Sequence, residues 1–198
     1  MQNEAPKVDK ADTIMVALAD GKGIRMNRKD SPPPEARRGK GKPKTAKKEA
    51  IVTGLYTISP YRRTSDDVIR ALMPGHLPES QSEIRPKPSG KQVFGTMAGK
   101  HAAMQHLAAQ VARRETAQSF HRVALTDGAI ALQQRVEEYL PDFTLILDLI
   151  HVTEYLWKAA HVLWNETDPY RECWMVDALR CLLEDQLDTF LAHLNRQC

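Results

Sequence analysis

Aromatic residues are scarce in this sequence, cysteines number three, and no apolar run is long. Phe, Trp and Tyr together make 6% of 198 residues. The longest apolar runs fall far short of the 17 to 25 or so residues that span a bilayer, which excludes a membrane-spanning helix and a membrane partner. The opening MQNEAPKVDKADT has no apolar stretch and no small-residue cleavage site, so a secretory signal is excluded and a soluble, cytoplasmic protein is expected. Cys173, Cys181 and Cys198 form no CxxC pair, which excludes a zinc ribbon or dithiol redox site and leaves reduced thiols. Charge of one sign is also in short supply, because 28 basic and 25 acidic residues leave a net charge of +3. The chain as a whole is therefore not a histone-like polycation.

What is present is enough for a real core. An apolar content of 42% over 198 residues suits one ordinary domain, or one domain with part of a second. The charge is unevenly distributed. Arg37, Arg38, Lys40, Lys42, Lys44, Lys47 and Lys48 crowd the stretch RRGKGKPKTAKK with no acid among them, whereas the last third is rich in Asp and Glu.

Residue patterning predicts an α/β chain. The segment 13–20, TIMVALAD, has the composition of a buried strand. Gly21-Lys22-Gly23 reads as a turn, and 24–28 alternates apolar with basic residues as the second strand of a hairpin. Like charges with Pro and Gly make 29–48 a basic loop. Residues 49–59 complete three antiparallel strands, and Pro60 ends them. A short helix is predicted at 65–73, capped by Thr64 or Ser65, then a connector out to Gly99. Residues 100–114 place Ala102, Met104, Leu107, Ala108 and Val111 at helical spacing. Strand and helix then alternate: 122–126 strand, 129–139 helix, 143–147 strand, and helix from His151 onward, broken near Asp168-Pro169. This is the element order of a ribonuclease-H-like core. It predicts an N-terminal tail at 1–12, a core at 13–165 and a helical segment at 166–198.

Two acids occupy equivalent places, since Asp20 and Asp127 each follow an apolar run and each precede Gly. Were their strands neighbours, the two carboxylates would share hard divalent cations beside a phosphodiester. The alternative is that each Asp-Gly only starts a tight turn. Asp148 and His151 open a helix; they serve as cap and packing residue, or as half of a metal site that lacks its other ligands. The basic loop can follow a phosphate chain without reading sequence, or simply be solvated. Tyr155, Trp157, Trp164 and Trp174 read as helix-packing residues.

The stretches VALADGKG, RRGKGKPKTAKKEAIVTGLYTI, KQVFGTMAGK, HRVALTDGAIALQQRV and FTLILDLIHVTEYLWKAA run in order from Val16 to Ala160. In them the chain resembles the ISKra group of bacterial insertion-sequence transposases, relatives of the Mutator-like elements. The resemblance implies a DDE catalytic core that uses Mg²⁺ or Mn²⁺ on DNA, with Asp20 as first acid and Asp127 as second. Asp148 to His151 matches the C/D-x-x-H motif of Mutator-like relatives, which implies a supporting role near the site. The family's third acid is a Glu in a Gly-Ser-Gly-containing segment beyond a helical insertion. No such segment occurs here, and Glu154, Glu166, Glu172 and Glu184 lie in other contexts. The family's helical DNA-binding region before the first strand is also missing. The resemblance thus implies a transposase truncated at both ends, with little or no strand-transfer activity. It leaves three readings: a remnant that binds DNA and a divalent cation, a DNA-binding or inhibitory product that self-associates or pairs with an intact transposase copy, and a nuclease that recruits a C-terminal acid.

Overall fold

The computed structural model describes residues 13–26, 47–79, 84–114 and 121–197. The tail at 1–12, most of the basic loop (29–46) and Cys198 lie outside the described residues. In chain order the elements are β1 (Ile14–Arg25), β2 (Lys47–Ile58), α1 (Ser65–Leu72), β3 (Ser89–Thr96), α2 (Lys100–Arg114), β4 (His121–Thr126), α3 (Ile130–Tyr139), β5 (Thr144–Leu147), α4 (Leu149–Leu163), α5 (Tyr170–Leu183) and α6 (Leu187–Gln197). The class is α/β. None of these helices is long and apolar enough to cross a membrane.

The chain divides into two compact units, one formed by Met1–Pro60 with Lys87–Leu147, the other by Tyr61–Pro86 with Asp148–Cys198. In the first unit five strands form a mixed sheet in the order β3-β2-β1-β4-β5. β1 and β2, and β2 and β3, run antiparallel, whereas β1–β4 and β4–β5 are parallel. Alternation along β1 sends Met15, Ala17 and Ala19 to one face. There they join Leu55, Ala124, Met104, Leu107 and Val111 of α2, and Leu132 and Val136 of α3, in one buried cluster. Small residues dominate the middle of the sheet, which lets the two helices lie close over it.

Two predicted features are replaced. No hairpin turns at Gly21-Lys22-Gly23; β1 runs straight through it and pairs with β2 from Ile14↔Ile58 to Arg25↔Lys47. The glycine at 21 serves a close approach instead, because a Cβ there would stand 3.2 Å from both Glu49 Oε1 and Ile51 Cδ1. Asp20 is consequently inside a strand rather than at its end. The third antiparallel strand is β3, in the segment read as connector, where the exposure of SGKQVFGT alternates residue by residue.

In the second unit α1, α4 and α5 share a core of Ile69, Met73, Leu156, Ala160, Trp174, Met175, Ala178 and Leu179, against which Phe190 and Leu194 of α6 pack. Trp157 and Trp164 pack against this cluster as predicted. Tyr155 does not, since it is 62% exposed and lies under Lys158 Nζ at 4.5 Å. The predicted C-terminal helix is interrupted once more, at Asp185, whose φ of 57° ends α5. α4 belongs to this unit, together with α5 and α6 that follow it.

Helix α1 starts on a reciprocal cap. The Thr64 hydroxyl accepts from Asp67 N–H, and the Asp67 carboxylate accepts from Thr64 N–H at 3.0 Å. That backbone bond, with the Thr64 hydroxyl and Arg70 behind it, holds the Asp67 carboxyl below its ordinary value of 3.8. A carboxyl whose folded pKa is depressed adds stability above its unfolded pKa and loses it as pH falls through the folded value. Thr64→Ala is expected to cost about 1 kcal/mol at pH 7 in urea unfolding. The gap from the unmodified chain should narrow below pH 3.8; a gap that widens in acid would refute the reciprocal cap.

Candidate functional site

The parallel pairing of β1 with β4 ends at Ala19↔Thr126. Asp20 and Asp127 are the next residues on their respective chains, so they stand side by side at one level of the sheet. Neighbouring strands lie about 4.8 Å apart. Ala19 and Thr126 are both buried, at 4% and 2% exposure. On β1 the next residue, Asp20, is turned to the opposite face, away from α2 and α3, and Asp127 is the first residue past the end of β4. Asp20 is exposed and Asp127 half-buried.

The local chemistry fixes Asp127 more firmly than Asp20. Asp127 Oδ1 accepts from Ala129 N–H at 2.9 Å, which turns the chain into α3 and leaves Oδ2 outside that turn. Gly128 makes the turn with φ 88°, and a Cβ there would approach Leu147 Cδ1 to 2.9 Å. The left-handed backbone favours glycine there, while the contact falls on the end of a leucine side chain that is 47% exposed and can turn aside. On β2 the partner of Asp20 is Val52, which is 45% exposed.

Glu49 is near in sequence register but belongs to the other face. It stands against Gly21, and its carboxylate takes Lys100 Nζ at 2.6 Å. The pair therefore receives no third acid from β2. Among the described residues no group of three or more His, Cys, Asp or Glu stands close enough to hold a metal ion. Two accessible carboxylates nonetheless supply the hard oxygen donors that Mg²⁺ or Mn²⁺ take.

Asp148 and His151 lie in the second unit. Asp148 caps α4, accepting from Ile150 N–H at 2.9 Å. Its other oxygen stands 3.4 Å from His151 Nδ1, too far for a good hydrogen bond. That nitrogen is buried with no bond of normal geometry. The geometry shows a helix cap beside a half-buried imidazole. Among the C-terminal acids, Glu172 pairs with His76 at 3.6 Å and Glu184 accepts from the Ser65 hydroxyl at 2.6 Å, while Glu154 and Glu166 are exposed.

Of the predicted DNA-contacting residues, Arg37, Arg38, Lys40, Lys42 and Lys44 lie outside the described residues. Lys47 and Lys48 are exposed at the start of β2, paired with Arg25 and Ile24. Lys22 and Arg25 on β1 join this region, and Lys91 stands toward the other end of the sheet on β3, all three exposed. The turn assigned to 21–23 hid Lys22, and the connector assigned before Gly99 hid Lys91. The alternation of SGKQVFGT was the available signal for the latter.

Replacing Gly128 with Ala is expected to destabilise the chain by about 1–2 kcal/mol, the cost of a left-handed backbone at a residue with a Cβ. Gly95→Ala is the matched control, because a Cβ there meets nothing within 4 Å; it should shift the urea midpoint by well under half as much. Equal effects at the two positions would show that the turn after Asp127 is not strained by a side chain.

No protein-family model, no curated protein and no solved structure matches this chain.

Proposed function

We propose that this chain is a ribonuclease-H-like core of the DDE transposase type, which binds DNA and a divalent cation and has little or no strand-transfer activity by itself. The observation that carries the reading is the alignment of Asp20 with Asp127 beyond the paired residues Ala19 and Thr126. Two carboxylates at one level of the sheet, one on β1 and one just past the end of β4, make a poor structural motif, because they repel each other. They make a good beginning of a cation site. The sheet order β3-β2-β1-β4-β5, with three antiparallel strands followed by two parallel ones, supports the ribonuclease-H-like assignment.

In this reading Asp127 is the better positioned ligand, because its turn to Ala129 and the glycine at 128 set its direction before anything binds. Asp20 completes the pair from a strand held on both sides by β2 and β4. A bound Mg²⁺ or Mn²⁺ would supply positive charge at a phosphodiester oxygen, the main requirement of phosphoryl transfer. With two protein carboxylates the cation keeps a large share of its water, so affinity is weak and strand cleavage slow. Asp148 and His151 are assigned no step; their cap stabilises α4.

The DNA-binding reading, in which the chain pairs with an intact transposase copy and interferes with it, is favoured by the exposed lysines of β1, β2 and β3. The two readings share the DNA surface and differ in the acids.

The deciding measurement combines Mn²⁺-dependent thermal stabilisation with cleavage of labelled DNA, for the unmodified chain and for Asp20→Asn and Asp127→Asn. Mn²⁺ should raise the melting temperature of the unmodified chain and leave both variants unmoved. Without cation, both variants should melt at or above the unmodified chain, because each removes a like-charge repulsion. Cleavage should be at the limit of detection throughout. An equal Mn²⁺ response in all three proteins would rule out the acid pair as the cation site.

A further inference from the structure

Both helices of the first unit, α2 and α3, pack on the face of the sheet that holds Met15, Ala17 and Ala19. The other face of β1, β2 and β3 is covered in part, since Val16 and Ala50 on it are 6% and 8% exposed, but around Asp20 it carries an exposed mixture of charged and apolar residues. By strand alternation Lys22 and Ile24 share that face on β1, Lys48 and Val52 on β2, and Lys91 and Val93 on β3. The register agrees, pairing Asp20 with Val52, Ile24 with Lys48, Val52 with Gly95 and Gly54 with Val93. All three lysines are exposed, while Ile24, Val52 and Val93 are 43%, 45% and 61% exposed.

The positions of these residues make a track. Lys22 lies two residues beyond Asp20, about 7 Å along β1, with Lys48 farther toward the same end. Lys91 lies toward the other end, past Val93 on the edge strand. Cations thus flank the carboxylate on both sides, and the apolar side chains fill the space between them. Gly95 opposite Val52 keeps the middle of the track low, since nothing stands within 4 Å of where its Cβ would be.

A duplex would offer the lysines its phosphates but would set a charged backbone against the three apolar side chains. A single strand offers both components: phosphates for the lysines, and sugar and base surface for Val52 and Val93. We propose that the exposed part of this face seats one unpaired DNA strand, with Lys22, Lys48 and Lys91 on its phosphates and Val52 and Val93 under its bases. The inference rests on the reading of Asp20 and Asp127 as a phosphodiester site, because the track leads the strand past Asp20. Recognition is through backbone and surface, so it tolerates any base sequence.

The test is fluorescence anisotropy of the full chain with a labelled oligothymidylate and with a duplex of the same length, in EDTA, across a salt series. Each of Lys22→Ala, Lys48→Ala and Lys91→Ala should flatten the salt dependence of single-strand binding by about 0.7 in logarithmic slope. Val93→Thr, near-isosteric and uncharged, ought to weaken the single strand severalfold and leave the duplex unchanged. Unchanged single-strand binding in these variants, an equal loss for duplex, or no binding of the single strand at all would overturn the proposal. Because EDTA removes divalent cations, strand seating and cation binding by the acids fail or succeed independently.

Discussion

Strand β1 is hydrogen-bonded along both edges, antiparallel to β2 and parallel to β4, and its register determines where the polar residues of the first unit stand. A slip of one residue against β4 would turn the whole strand over. Met15, Ala17 and Ala19 would then leave the helices, and Asp20 would enter the core beneath them. The hydrophobic demand of α2 and α3 therefore specifies the position of a carboxylate that neither helix touches. Local packing makes slippage costly, because Gly54 lies under Leu18 so closely that a Cβ would come within 3.1 Å of its Cδ1.

Helices were the most legible part of the sequence. The prediction over 100–114 coincides with α2 (Lys100–Arg114), and that over 65–73 with α1 (Ser65–Leu72) to within its last residue. Both have local causes, an apolar stripe in one and a Thr cap in the other. Strands depend on partners far away in sequence, and there the reading failed twice. Gly21 and Gly23 have the local signature of a turn, yet β2 claims both by pairing them with Ile51 and Glu49. β3 contains two glycines and a lysine and has little strand propensity of its own; pairing with β2 makes it a strand. Tertiary pairing overrode propensity in both cases.

The candidate site divides in the same way. Asp20 and Asp127 could be picked out as residue types before Gly, but only the Ala19↔Thr126 register makes them neighbours. The lysine track was invisible, because its members come from three strands, one misread as a turn and one as a connector. Asp148 shows the converse. Its sequence context offered a cap or a ligand, and its bond to Ile150 N–H accounts for it as a cap.

Electrostatic magnitudes decide what the acid pair requires. Two unit charges about 5 Å apart repel by about 1 kcal/mol in water and by about 3 kcal/mol at the effective dielectric of a protein surface. Asp20 is exposed, which keeps the cost toward the lower figure and makes the pair tolerable on its own. Lys22, about 7 Å along the strand, returns only a fraction of a kcal/mol, and salt screens it further. The lysines therefore cannot neutralise the acids; their positive charge remains available to an approaching polyanion. That polyanion meets attraction along the track and repulsion at its centre. In the proposed reading a divalent cation at the pair would reverse the central repulsion, so strand and cation would each strengthen the binding of the other when both are present.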